Sequence, residues 1–254
     1  PASATTVTTG RLTAITDPAA LPDKEKAPQA ADVPPLVAHA VNVPIDPEKP
    51  LLSVVLLDDP SGQLGPAALQ SLPFPVTVAV SGAAEDATAR MQAYRSAGFE
   101  VVLNAELPQR AATSDIEAAF QYFFETVPQA VAVLDSSGSG FRGDRRIIDA
   151  VNTIVAESGH GLLTFDEGLN TAQQTAAAAG IPVAMVLRDL DSNGQNPSVI
   201  RRFLDQSAFN TRQDGSGIVL ARVRPDTITA LLIWAQQSRA QALNLVPVSA
   251  ILNQ

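Results

Sequence analysis

An apolar run, Leu51-Leu52-Ser53-Val54-Val55-Leu56-Leu57, leads directly into Asp58 and Asp59. A nearly continuous Val/Leu stretch of this length is what a strand looks like when both its faces are buried in a parallel sheet. Acids at the C-terminal end of such a strand lie on the face where α/β barrels and open α/β sheets build their sites. The same rhythm repeats down the chain. Strands are expected over Leu52–Leu57, Val76–Ser81, Glu100–Leu103, Val131–Leu134, Leu162–Phe165, Val183–Leu187, Ile218–Ala221 and Leu245–Val248. Helices are expected over Pro66–Gln70, Glu85–Ala97, Asp115–Thr126, Arg142–Ala156, Ala172–Ala179, Ser198–Asp205 and Pro225–Ala242. Ser114 followed by Glu117 reads as a helix start. Pro225 opens the last helix, and Gly98, Gly159 and Gly180 stand where helices should stop. Seven or eight βα units in about 200 residues predict a distorted (β/α) barrel; an open doubly wound sheet is the alternative. No GxGxxG or Walker A loop follows the first strand, which weakens a nucleotide-binding reading.

The first 50 residues differ. They hold nine of the 19 prolines and one of the 15 glycines. They read as an extended Pro/Ala/Thr-rich tail or linker, residues 1–50, ahead of a barrel domain, residues 51–254. Only Pro35–Ala38 and Ala40–Val43 are apolar enough to dock. The chain is 46% hydrophobic over 254 residues, which suffices for one large α/β core. Its net charge of −9 argues against nucleic-acid or anionic-membrane surfaces. No stretch approaches the length of a membrane span. The absence of cysteine rules out a disulfide scaffold and Cys-ligated zinc. A chain starting at Pro1 reads as mature or trimmed, with a signal peptide removed.

Asp58 and Asp59 are the first candidates for chemistry, one as general base and its neighbour as a ligand for a divalent ion. Asp59-Pro60-Ser61-Gly62 also reads simply as a turn. Asp135-Ser136-Ser137-Gly138-Ser139-Gly140 follows the fourth strand and could form an anion nest or an unliganded loop. Asp166 follows the fifth strand and suits a hydroxylated substrate, a metal or a helix cap. His160, between helix and strand, falls on the opposite rim, near a helix C-terminus that favours positive charge. His39 falls in the tail. Trp234 sits in an apolar helix and reads as core. Ser136 and Ser139 have no histidine partner in view, which disfavours a Ser-His-Asp hydrolase.

The run Val54–Asp59, followed by Leu72-Pro73-Phe74-Pro75-Val76-Thr77-Val78-Ala79-Val80-Ser81, resembles the divergent polysaccharide deacetylase family. The likeness continues through Ala97–Leu103, Ala132-Val133, Gly138-Ser139 and Phe141, and closes with Leu245–Leu252. It implies an exported, periplasmic or secreted, cell-envelope protein with the distorted barrel of carbohydrate esterases and some glycoside hydrolases. Asp58 and Asp59 match the family's paired acids, with the roles of base and metal ligand. The histidines that the family pairs with them are missing. Asn104 and Ser136 stand where two are expected, and Ala221–Pro225 replaces a Gly-His-Pro-like segment.

With two histidines in the chain, a multi-histidine zinc site is impossible. Carboxylates and amides alone would favour calcium or magnesium. Arg222, if it enters the mouth, would pair with the acids in a metal's place. The expectation is therefore a deacetylase-like binding protein without zinc or another required cofactor. Its binding residues would be Asn104, Asp135, Ser136, Ser139, Asp166 and Arg222. Its ligand would be a glycan, peptidoglycan or an envelope protein. The alternatives are an active polysaccharide deacetylase or carboxylate-based glycan hydrolase using Asp58 and Asp59, or a structural subunit of an envelope complex docked through residues 1–50.

Overall fold

The computed structural model describes residues 33–59, 64–107, 112–135, 145–165 and 171–254, without the side chains of Asp135, Thr171 and Ala172. In chain order the elements are α1 (Pro35–Ala38), β1 (Leu51–Leu57), α2 (Pro66–Leu69), β2 (Thr77–Ser81), α3 (Ala87–Ser96), β3 (Glu100–Ala105), α4 (Thr113–Thr126) and β4 (Ala130–Asp135). They continue as α5 (Arg145–Ser158), β5 (Gly161–Phe165), α6 (Thr171–Ala178), β6 (Val183–Asp189), α7 (Pro197–Asp214), β7 (Ser216–Arg222) and α8 (Pro225–Ala235). The chain closes with α9 (Ser238–Gln241), β8 (Asn244–Leu245) and α10 (Val248–Leu252).

Strands β1 to β7 pair in parallel, each with the next, and β7 returns to β1, so the sheet closes into a seven-stranded barrel with helices outside. β1 carries different neighbours at its two ends. Val55–Leu57 pair with β2, whereas Leu51 and Leu52 pair with the two-residue β8, which wedges the N-terminal end of that seam. Alternation along the strands separates two cores. Leu52, Val54 and Leu56 face the helices with Val78, Val80, Val101 and Leu103. Leu51 and Val55 face the barrel interior with Ala79, Val102, Leu134, Leu163, Ile218 and Leu220. The interior is stoppered at its N-terminal end by Leu36 of α1 and by Val248, Ile251 and Leu252 of α10. Gly161 permits that close approach: a Cβ there would fall 2.6 Å from Leu252 Cδ1.

The expected barrel is the observed one, with local differences. Gly98, Gly159 and Gly180 do end helices, each with positive φ. Helix α4 begins at Thr113, and its first-turn anchor is Asp115, which accepts from the Ala112 N–H at 3.2 Å. Helix α7 runs on to Asp214. The last long helix breaks after Ala235 into α8 and α9. The expected strand Leu245–Val248 contributes only Asn244–Leu245, because Pro247 has no N–H to offer a ladder and instead precedes α10.

Residues 33–50 belong to the compact unit, Val33–Gln254, rather than to a tail ending at 50. They are held by bonds distant in sequence. The Val41 N–H donates to Glu100 (3.1 Å), Arg95 donates to the His39 carbonyl (2.8 Å), and the Asn244 side chain donates to the carbonyls of Asp46 and Lys49. No helix of the described residues is long and apolar enough to cross a membrane. Trp234 is fully buried, its indole N–H donating to Asp205.

His160 is the opposite of the expected charged turn residue. It is buried and stacked on Phe124, ring centroids 4.5 Å apart, with Nδ1 2.9 Å from Ser158 Oγ. Burial, with His39 nearby as a second cause, lowers its pKa from 6.5 to about 4. A base whose folded pKa is depressed binds fewer protons when folded, so its contribution to stability is complete above pH 6.5 and is lost as pH falls to about 4. The expected loss over that window is about 3 kcal/mol. In His160→Gln, urea titrations at pH 7 and pH 4 should differ less than in the parent by that amount.

Candidate functional site

The C-terminal rim collects the strand ends that the sequence points to. Asp58 follows β1, and its N–H donates to the Ala79 carbonyl of β2. Arg222 ends β7 directly opposite Leu57. Asn104 lies in β3, opposite Ser81 on one side and Leu134 on the other, and the Asp135 backbone pairs with Ala105. Ser136, Ser139 and Asp166 lie outside the described residues.

Asp58 does not present a carboxylate to the barrel mouth. Leu56 packs outward, and Asp58, two residues on, also turns outward onto α3. Its Oδ1 accepts from the Tyr94 hydroxyl at 2.7 Å and its Oδ2 from Arg90 Nη1 at 2.9 Å. The side chain is 3% exposed. Arg90 reaches on to Asp86 through Nε at 2.7 Å, so α3 brings its own acid to the pair. Burial, then the hydrogen bond to Asp58, push the Tyr94 hydroxyl well above its ordinary pKa, so it remains a donor. Arg90 and Tyr94 stand four residues apart on one helix face, which lets both meet one carboxylate. Asp59 also has interaction partners.

The expected pair between Arg222 and the β1 acids is corrected by a different acid pair. Arg222 continues the inward-facing series Ile218 and Leu220, but its guanidinium lies against the end of β6. Nη1 and Nη2 make a two-point contact with Asp189 at 2.9 and 3.1 Å, and Nη1 also meets Asp191 Oδ1 at 2.8 Å. Asp191 Oδ2 accepts from the Arg222 N–H at 3.0 Å and from the Thr227 hydroxyl at 2.6 Å. Arg224 donates to the Asp191 carbonyl. One arginine thus ties the β6 end, the loop after it and the first turn of α8. A depression of about 250 Å³ beside it is lined by Asp191, Gln195, Arg224, Asp226 and Thr227.

Asn104 is 6% exposed and faces inward, in line with Val102. Its Nδ2 donates to Glu106 at 3.0 Å, which fixes the amide's orientation. Its Oδ1 is buried and has no hydrogen-bond partner among the described residues.

The chain's two imidazoles do not approach this rim. His160 precedes β5 and His39 follows α1, both at the stoppered end. Among the described residues no three His, Cys, Asp or Glu side chains are grouped as a metal would require. The donor chemistry agrees. Both oxygens of Asp58 serve Tyr94 and Arg90, and Arg90 holds the positive charge beside it.

A family model described as divergent polysaccharide deacetylase matches residues 55–252. The chain belongs to the divergent polysaccharide deacetylase family. Among solved structures, an uncharacterized protein from Agrobacterium tumefaciens superposes with a TM-score of 0.77 at 18% identity, over 88% of this chain and 97% of that one. A lactam utilization protein from Thermus thermophilus gives 0.51 at 11% identity, over 78% and 99%. The catalytic domain of a peptidoglycan N-acetylglucosamine deacetylase from Eubacterium rectale gives 0.49 at 13%, over 80% and 90%, too loose a likeness to argue from. No curated protein matches the chain. In this member of the family, the residues present do not fit the histidine-ligated metal that the resemblance implies.

Sequence reasoning passed over Arg90, Tyr94, Asp189, Asp191 and Thr227. Asp189 and Asp191 carried the signal that singled out Asp58, acids at a strand's C-terminal end, but lay beyond the expected end of that strand at Leu187. Nothing local marks Arg90 and Tyr94 as partners of a residue 32 and 36 positions earlier.

Proposed function

We propose that this chain is an exported, deacetylase-like binding protein that takes a glycan at its C-terminal mouth and lacks zinc-dependent hydrolysis. The observation that carries the reading is the state of Asp58: the family's base position is turned onto α3 and both its oxygens are engaged by Arg90 and Tyr94. A general base needs an open oxygen within reach of the proton it takes. Without imidazole ligands there is also no centre to lower the pKa of an attacking water. Binding survives that loss. The buried Asn104 Oδ1 is an acceptor that a sugar hydroxyl would satisfy, and a buried acceptor left unmet costs about 1–3 kcal/mol. Asn104, Asp59 and Glu106 are the binding residues of this reading, with Asp135, Ser136, Ser139 and Asp166 as further candidates from the sequence and Arg222 as a scaffold for the rim. No bound cofactor is required.

The test uses the purified chain with added zinc, cobalt or nickel, N-acetylated chitooligosaccharides and peptidoglycan. Acetate release should stay at the level of the blank, while calorimetry reports saturable glycan binding that Asn104→Leu weakens roughly tenfold, the value of about one hydrogen bond. Metal-dependent turnover abolished by Asp58→Asn would overturn the loss of catalysis. Absence of any glycan binding would overturn the ligand. Asp58→Asn should also destabilise the fold by about 1–3 kcal/mol, since it gives up a charge-assisted bond to Arg90 in a buried setting.

A further inference from the structure

The barrel wall is incomplete between β6 and β7. The ladder begins at Val186 opposite Ile218, three residues into β6 and two into β7, and its register shifts again between Val186 and Arg188. Val183–Met185 and Ser216–Gly217 therefore face each other as strand ends with no ladder between them. On its other side β6 pairs with β5 over Val183–Val186. Pro182, before the strand, has no N–H to begin a pairing earlier. The consequence shows in burial. Every residue of β6 except Val186 is partly exposed, whereas β1, β2, β3 and the middle of β7 are buried.

The gap opens into a cavity of about 690 Å³. It is lined by Val183, Ala184 and Met185 of β6, by Ser216 and Gly217 of β7 and by Ile251 and Leu252 of α10, so it is an open slot at the foot of the barrel wall. Its mouth is polar, with Gln173, Ser216 and Gln254, and Asp214 is its one charged lining residue among the described residues. The volume is that of a ligand pocket.

We propose that this slot binds an extended peptide segment with apolar residues at alternate positions and a basic residue at one end. The choice over a lipid or other apolar chain rests on the backbone. The facing ends of β6 and β7 offer N–H and C=O groups that a hydrocarbon would bury unmet, whereas a strand would pair with them. Alternate side chains would lie against the partly exposed Ala184 and the Ile251 and Leu252 side chains of α10. Asp214 selects the charge of the end at the mouth. This site is at the opposite end of the barrel from Asp58, and it does not depend on the glycan reading.

The experiment follows the backbone amide signals of the isotope-labelled full chain while a pool of acetylated pentapeptides is added. The peptides carry Val, Ile, Leu or Phe at three alternate positions and end in Lys. At about 1 mM peptide, a ceiling that still detects weak binding, the Val183, Met185 and Ser216 signals should move. Ala177→Trp, which places a large side chain at the exposed lip of the slot, should abolish the shifts while the rest of the spectrum stays in place. Asp214→Lys should weaken Lys-ended peptides at least fivefold and favour Glu-ended ones. No shift at those amides, equal shifts from a backbone N-methylated pool, or shifts that persist in Ala177→Trp would overturn the proposal. So would laurate giving the same pattern at lower concentration, which would assign the slot to an acyl chain.

Discussion

Glu100→Ala is expected to lower the unfolding free energy by about 4 kcal/mol, read as a lower urea midpoint at unchanged slope. Glu100 is 1% exposed, and the partners that hold it are uncharged donors. Oε1 accepts from the Thr77 hydroxyl (3.2 Å) and the Ser249 N–H (3.0 Å); Oε2 accepts from the Val41 N–H (3.1 Å) and from the Ser249 hydroxyl. Thr77 Oγ1 in turn accepts from the Val248 N–H. One carboxylate thereby fastens two separate pieces to β2 and β3: the segment before β1 and the start of α10, and through α10 part of the stopper of the barrel. Replacing it with alanine strands several buried donors at once, at about 1–3 kcal/mol for each that water cannot reach. Glu100→Gln keeps an acceptor for Thr77 and the Ser249 N–H, so it should cost about half as much. Hydrogen exchange at the Val41 and Ser249 amides should accelerate first, because their local opening no longer breaks a bond to the carboxylate. Loss of stability confined to a slope change would mean that Glu100 acts on the denatured state instead.

That network also explains which parts of the molecule were legible in the sequence. Seven strands stand out because a parallel barrel buries both faces of each, and such burial demands Val/Leu runs that local reading detects. Helix ends at Gly98, Gly159 and Gly180 stand out because positive φ favours glycine. Residues 33–50 did not stand out. Their prolines suppress any period, and what holds them is Glu100, Arg95 and Asn244, at separations of 56 to 198 positions that leave no local trace. The closing segment misled for a related reason: Leu245–Val248 is apolar enough for a strand, yet only Leu245 joins a ladder and Val248 already belongs to the barrel's stopper. At the rim, Asp58, Asn104 and Arg222 stand at C-terminal strand ends, with Arg222 opposite Leu57. Which side chain each one meets depends on the loop after β6 and on the rotation of α3, and neither is written in a spacing.

The Arg222 cluster should show that dependence as a measurement. Arg222→Ala is expected to cost about 3–4 kcal/mol, because it leaves Asp189 and Asp191 side by side without their cation. The two acids differ in what remains to them. Asp191, with its side chain 2% exposed, keeps the Thr227 hydroxyl and the residue-222 N–H, whereas Asp189, 13% exposed, loses both bonds of the two-point contact. Repulsion between them should therefore be relieved by Asp189→Asn in the Arg222→Ala background. That double variant should recover about 1–2 kcal/mol, while Asp189→Asn alone in the parent should be destabilising. Arg222→Lys should recover only part of the loss, since an ammonium is a point charge and cannot match a planar carboxylate at two points. Because the cluster joins β6, the loop after it and α8, loosening it should reach the mouth: glycan binding should weaken in Arg222→Ala with no contact to the ligand removed, and return in the double variant along with stability. Binding that stays lost when stability returns would instead make Arg222 a direct ligand contact. A double variant no more stable than Arg222→Ala would mean that the two carboxylates are separated by water once the arginine is gone, and that the cluster's hold on the rim comes from hydrogen-bond geometry rather than charge.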